Sequence, residues 1–201
     1  MKRKKVLIII GSFLVLVLLI IFNIQSILKF YMGMKDPEME TKESIYTYAK
    51  EMGMKDSEFY VIDSSQLKEI YKGSFPKVYF FNEAGDMIID GNCFGALPEL
   101  VDTLKTKQKF KIIKSNFLPE VLTTIKTFDG DSIQKTEGNS QFTIVYYWAK
   151  WMGSINKTKL KALEERIKNM QELDIRLIKV NADMQKSWGM SEEALTRMFE
   201  E

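Results

Sequence analysis

Cys93 is the only thiol of this chain, and histidine is absent from all 201 residues. Thiolate attack is therefore available at one position. No disulfide can close within the chain and no paired-thiol cycle can run inside it. Without histidine, triads, imidazole proton relays and the usual histidine-bearing metal sites are excluded as well. Cys93 stands in Gly91-Asn92-Cys93-Phe94-Gly95, just after a predicted hairpin. It reads either as a small buried turn residue or as a lone reactive thiol able to form a mixed disulfide in an oxidising compartment.

Carboxylates are abundant, in pairs such as Glu164 with Glu165, Asp129 with Asp131 and Glu192 with Glu193. Each pair falls in a predicted turn or on a charged helix face, whereas glycosidic acid-base chemistry needs two separated carboxyls facing one cleft. Asp129-Gly130-Asp131 is far short of a calcium loop, and no glycine-rich phosphate cradle follows a strand. Neither a metal site nor a cofactor is expected.

The elements that must position these residues follow from periodicity. Ile45, Tyr48, Ala49 and Met52 share one face of a helix over 42–52 that Gly53 ends. Phe59 to Ile62 is a short strand. Val78 to Phe81 and Met87 to Asp90 flank a turn containing Gly85, which predicts a hairpin, and Pro98 opens a helix carrying Leu100, Val101 and Leu104. A β-prone stretch follows over Val121 to Phe128. Phe142 to Trp148, FTIVYYW, is apolar on successive residues, the pattern of a strand covered on both faces. Ile155 to Gln171 reads as a helix and Ile175 to Val180 as a strand, so this stretch predicts a crossover between parallel strands. Ser191 is the expected cap of a last short helix. The heptamer MGMKDPE at Met32 recurs as MGMKDSE at Met52, too few copies for a solenoid.

The N-terminal end predicts a different environment. Val6 to Ile24 carries no charge, and Ile27 and Leu28 extend the apolar run, enough for a helix to cross a bilayer. Lys2, Arg3, Lys4 and Lys5 precede it, which favours a cytoplasmic N-terminus and an extracytoplasmic body. A cleaved signal peptide fits less well, because the apolar run is long and no small-residue cleavage pattern follows. The expected organisation is a basic tail at 1–5, a transmembrane anchor at 6–28, a stalk at 29–41 and one domain at 42–201. From residue 36 onward 23 basic residues face 27 acidic ones, so no basic surface for nucleic acid is expected.

YYWAKWMGSINK, Tyr146 to Lys157, resembles the active-site segment of the thioredoxin-like superfamily, nearest its membrane-tethered, peroxiredoxin-related branch. Trp148, Ala149, Lys150, Trp151 and Gly153 match that pattern. The positions of the two thiols hold Met152 and Ile155, and the intervening proline position holds Ser154. Ser74-Phe75-Pro76-Lys77 and the hairpin after it resemble the family's cis-proline and closing strand pair. Residues 42–115 thus resemble the C-terminal half and 119–201 the N-terminal half, in inverted order. A circular permutation is the simplest account; remnants of two partial units are the rival.

The resemblance implies an α/β fold with a thioredoxin-like mixed sheet flanked by helices, beside the expected transmembrane helix. A thioether and an alkyl chain cannot replace thiolates, so two-cysteine oxidoreductase activity is rejected. The remaining expectation is a membrane-anchored, redox-inactive domain that binds protein or peptide, or serves envelope assembly, through Trp151, Met152, Ser154, Ile155, Phe75 and Pro76. The residue before the cis-proline, here Phe75, would offer backbone groups to an extended peptide. Trp148 and Ile155 also read as core. The alternatives are intermolecular thiol chemistry through Cys93 and a scaffold subunit of a membrane complex.

Overall fold

The fold is taken from a computed structural model that describes residues 26, 29–55, 59–71, 75–92, 97–106, 110–131, 133, 140–191 and 193. Its strands are β1 (Phe59–Ile62), β2 (Lys77–Asn82), β3 (Met87–Asn92), β4 (Ile125–Lys126), β5 (Phe142–Trp148) and β6 (Ile175–Asn181). Its labelled helices are α1 (Lys42–Glu51), α2 (Leu67–Tyr71), α3 (Leu97–Thr103), α4 (Leu118–Thr123) and α5 (Ser154–Lys168). The strands form one open mixed sheet in the order β3-β2-β5-β6-β1-β4. β5 and β6 run parallel across α5, and β2 is antiparallel to both β3 and β5. β1 is parallel to β6 and antiparallel to β4.

Burial explains the apolar run of β5, in which all seven residues are buried. Phe142, Ile144, Tyr146 and Trp148 join a core with Ile45, Ala49, Leu160 and Leu163 on one face of the sheet. Val145 and Tyr147 face the other core, with Tyr79, Phe81, Ile70 and Val121. Each such large apolar side chain contributes roughly 1.5–3 kcal/mol of transfer free energy, so this central strand is the least replaceable element.

The repeated heptamer is a helix-ending device used twice. After α1 the Gly53 amide bonds the Lys50 carbonyl at 2.9 Å and the Met54 amide bonds Ala49 at 3.0 Å, with Gly53 at φ +87. Around residues 29–31 the Gly33 amide bonds Phe30 at 3.1 Å and the Met34 amide bonds Lys29 at 2.8 Å, with Gly33 at φ +62. Both are the paired closure of a helix C-terminus, in which glycine takes the left-handed position without a Cβ penalty.

Two expectations are corrected. The stretch over Val121 to Phe128 is not one strand: Pro119 and Glu120 open the short helix α4, and only Ile125–Lys126 pairs, at the sheet edge. A proline in the first helical turn costs no hydrogen bond and fixes φ for the helix, which outweighs the β-branched residues that follow. The second correction concerns the membrane. The anchor expected at 6–28 lies outside the described residues apart from Ser26, and among the described residues no helix is long and apolar enough to cross a membrane. The longest of the labelled helices, α5, has 15 residues and carries Lys157, Lys159, Lys161, Glu164, Glu165, Arg166 and Lys168, against the ~20 apolar residues a span needs. The fold seen is an α/β mixed sheet flanked by helices. The transmembrane helix, the membrane partner, the single-pass topology and the functions built on them are not carried forward.

Candidate functional site

The segment joining β5 to α5 is one 3-10 turn, Lys150–Met152, followed by Gly153 at φ +56 and ψ −134, a conformation that glycine alone adopts readily. Gly153 offers α5 no capping side chain, and the first turn of α5 has no acidic residue. The leading amide of α5 therefore needs an acceptor from elsewhere. It finds the Met32 carbonyl, which accepts from the Ser154 amide at 3.1 Å and from Ser154 Oγ at 2.7 Å. The Lys35 amide donates in the other direction, to the Trp151 carbonyl at 2.8 Å. Contact is close enough that a Cβ on Gly153 would run into the Gly33 carbonyl. Further along the same segment the Glu40 amide donates to Met184 at 2.7 Å and the Lys186 amide to Glu40 at 2.9 Å. Met32, Met34 and Met39 pack against the second core between these two anchor points.

Beneath the segment lies an aromatic cluster. Phe75 stacks parallel on Tyr71 at 4.7 Å and meets Trp151 at 5.3 Å. The indole Nε1 of Trp151 donates to the Tyr71 hydroxyl at 3.0 Å, which itself donates to the Ala182 carbonyl at 2.9 Å. Burial, and then the charge of Asp183, push the Tyr71 hydroxyl far above the usual tyrosine range, so it remains a neutral donor. The Phe75–Pro76 peptide bond is cis.

Of the residues singled out from sequence, the fold brings Phe75 against Trp151, with Pro76 buried alongside, and sets Ser154 on the Met32 carbonyl. Met152 is wholly buried and Ile155 is 7% exposed, both in the core below the cluster. Cys93 lies outside the described residues.

A buried polar group beside this cluster was not singled out from sequence. The Asp183 Oδ2 accepts from the Lys150 amide and from Asn181 Nδ2, each at 2.7 Å. Its Oδ1 is buried with no hydrogen-bond partner among the described residues. Desolvation pushes its carboxyl up to about 7, against the two hydrogen bonds; the Glu40 charge adds to the rise and Lys150 opposes it. Lys150 Nζ is paired with Glu40 at 2.7 Å, and Ser44 Oγ also donates to that carboxylate. Asp183 is 1% exposed, so it titrates inside the protein rather than meeting a substrate. The signals available were a lysine between two tryptophans and an aspartate closing a buried strand; Glu40 sits in a polar stretch that carries no signal at all.

No family model, curated protein or solved structure matches the chain. The chemistry must therefore be read from the geometry alone. With Cys93 the one cysteine, a two-cysteine oxidoreductase centre is ruled out, and Met152 and Ile155 supply no nucleophile. What the site offers is backbone hydrogen-bonding groups and aromatic surface.

Proposed function

We propose that this is a redox-inactive binding domain whose turn after β5 and neighbouring aromatic face accept an extended polypeptide segment, the segment seated there being its own residues 32–40. The observation that carries the reading is the two-way backbone exchange, in which the Lys35 amide donates to the Trp151 carbonyl and the Ser154 amide donates to the Met32 carbonyl. Main-chain bonding gives such recognition its affinity without demanding a sequence, and side-chain pockets add selectivity, here for methionine. The kinship with the thioredoxin-like superfamily belongs to the same proposal. It is supported by the pairing of the β2–β3 hairpin directly beside β5, so that both stretches carrying the likeness share one sheet.

The test uses the full chain carrying Met32→Asp and Met34→Asp, whose own segment no longer packs. A labelled peptide of residues 32–41 is expected to bind it, and adding Trp151→Ala is expected to weaken that binding about tenfold or more. Equal binding with and without Trp151, or none to either chain, refutes the reading.

A further inference from the structure

A cleft of about 430 Å³ opens on the sheet face between α2 and α4, away from the N-terminal segment. Its floor is two tyrosines on adjacent strands, Tyr79 of β2 and Tyr147 of β5, with ring centroids 5.6 Å apart and edge to face. Phe117 adds a third ring 6.4 Å from Tyr79. Tyr79 is 7% exposed and Tyr147 1%, and neither hydroxyl has a hydrogen-bond partner among the described residues. Neither oxygen is among the sealed polar atoms, so both hydroxyls open into the cleft and are hydrated when nothing else fills it. Two phenol hydroxyls carried on otherwise buried rings and facing one cleft are hydrogen-bonding groups presented to a ligand.

The charges around the cleft decide what that is. Lys77 Nζ is engaged on the Glu69 carbonyl at 2.9 Å. Lys114 is paired with Glu120 at 3.3 Å and sits over the Phe117 ring at 3.3 Å. Lys114 is thus ion-paired, while Lys77, held by a neutral carbonyl, is one positive charge set against the two carboxylates of Glu69 and Asp90. No cation pairs with either carboxylate among the described residues, and both act on the Tyr79 hydroxyl through their charge. Two free carboxylates, two phenol oxygens and three ring faces form an acceptor-rich surface that attracts positive charge. An anion would meet uncompensated like charge.

We propose that this cleft binds a small primary amine, its ammonium held by Glu69, Asp90 and the hydroxyls of Tyr79 and Tyr147, and its apolar body against Phe117 and Val121. An ammonium carries three donors and matches the acceptors more fully than a quaternary head, which has none. The volume falls in the range of small-ligand sites. The proposal stands apart from the segment-binding reading, since it uses other residues.

The experiment titrates the full chain with 2-phenylethylamine by calorimetry, and with 3-phenylpropionate as the isosteric anion. Saturable binding of the amine alone is expected. Glu69→Gln and Asp90→Asn, both at exposed positions, are each expected to weaken it about tenfold, and Tyr147→Phe about fivefold, with unfolding midpoints checked in parallel. Binding of the anion as strong as that of the amine, amine affinity unmoved by both carboxamide variants, or no saturable binding up to about 10 mM, each overturns the proposal.

Discussion

Asp183 makes stability fall where most proteins are near their best, between weakly acidic and neutral pH. In the unfolded chain an aspartate releases its proton near the ordinary 3.8, whereas in the fold burial holds the proton to about 7. Between those values the folded state binds more protons, so raising the pH favours unfolding. A displacement of roughly three pH units, at about 1.4 kcal/mol each, amounts to about 4 kcal/mol in all, a large part of the 5–15 kcal/mol typical of a domain. The acid side runs the other way. Asp63 is held down to about 2, chiefly by its hydrogen bond from Lys126, and Glu43, Asp102 and Glu172 are also lowered, so their contributions are present above the unfolded values and lost in acid. Stability should therefore peak near pH 4 and decline by about 3 kcal/mol toward pH 7.5. The groups acting on Asp183 are Glu40 from the N-terminal segment, the Lys150 amide and ammonium, and Asn181 on its own strand. The perturbation is Asp183→Asn, which keeps an oxygen for the Lys150 and Asn181 donors and removes the titration. Urea unfolding from pH 5 to 8, read by circular dichroism, should show the decline in the parent chain and a nearly flat profile in the variant. A variant that declines as steeply as the parent would refute the assignment.

Two further outcomes follow from the same electrostatics. Glu40→Gln breaks the pair with Lys150, whose side chain is 28% exposed and reaches water, so the expected cost is about 1–2 kcal/mol rather than the 3–5 of a sealed pair. Because Glu40 helps raise Asp183, the same variant should also shrink the loss of stability above pH 5, and urea midpoints at pH 5 and pH 8 check both effects. Lys126→Met removes the cation 2.7 Å from Asp63, so the Asp63 carboxyl should titrate closer to 3.8 when followed by carbon-detected NMR. Its effect on the urea midpoint should be under about 1 kcal/mol, as for other exposed pairs.

The parts of this molecule legible in its sequence are those whose cause is local. FTIVYYW announces a strand covered on both faces because seven successive apolar residues have no other economical place, and Phe142–Trp148 has those bounds. The α5 spacing, the hairpin around Gly85 and the end of α1 at Gly53 are likewise written in neighbours a few positions apart. The 121–128 stretch has the pattern of a strand, yet one proline and the glutamate after it outweigh that run of β-branched residues and start a helix. What could not be read is what depends on residues far apart in the chain. Glu40 meets Lys150 across 110 positions, and Ser154 finds its acceptor at Met32 across 122. Such partners are chosen by the topology, not by the local pattern. The missing cap at Gly153 shows how the two kinds of information connect: its neighbourhood predicts an unsatisfied helix amide, but only the fold says which carbonyl answers it. The same holds for Tyr79 and Tyr147, which read as core strand residues until the register β2 to β5 sets Tyr79 opposite Val145 and brings both rings to the floor of one cleft. Strand-forming tendency accounts for the buried rings, while the cleft accounts for their hydroxyls, which stay out of the sealed core and reach open space.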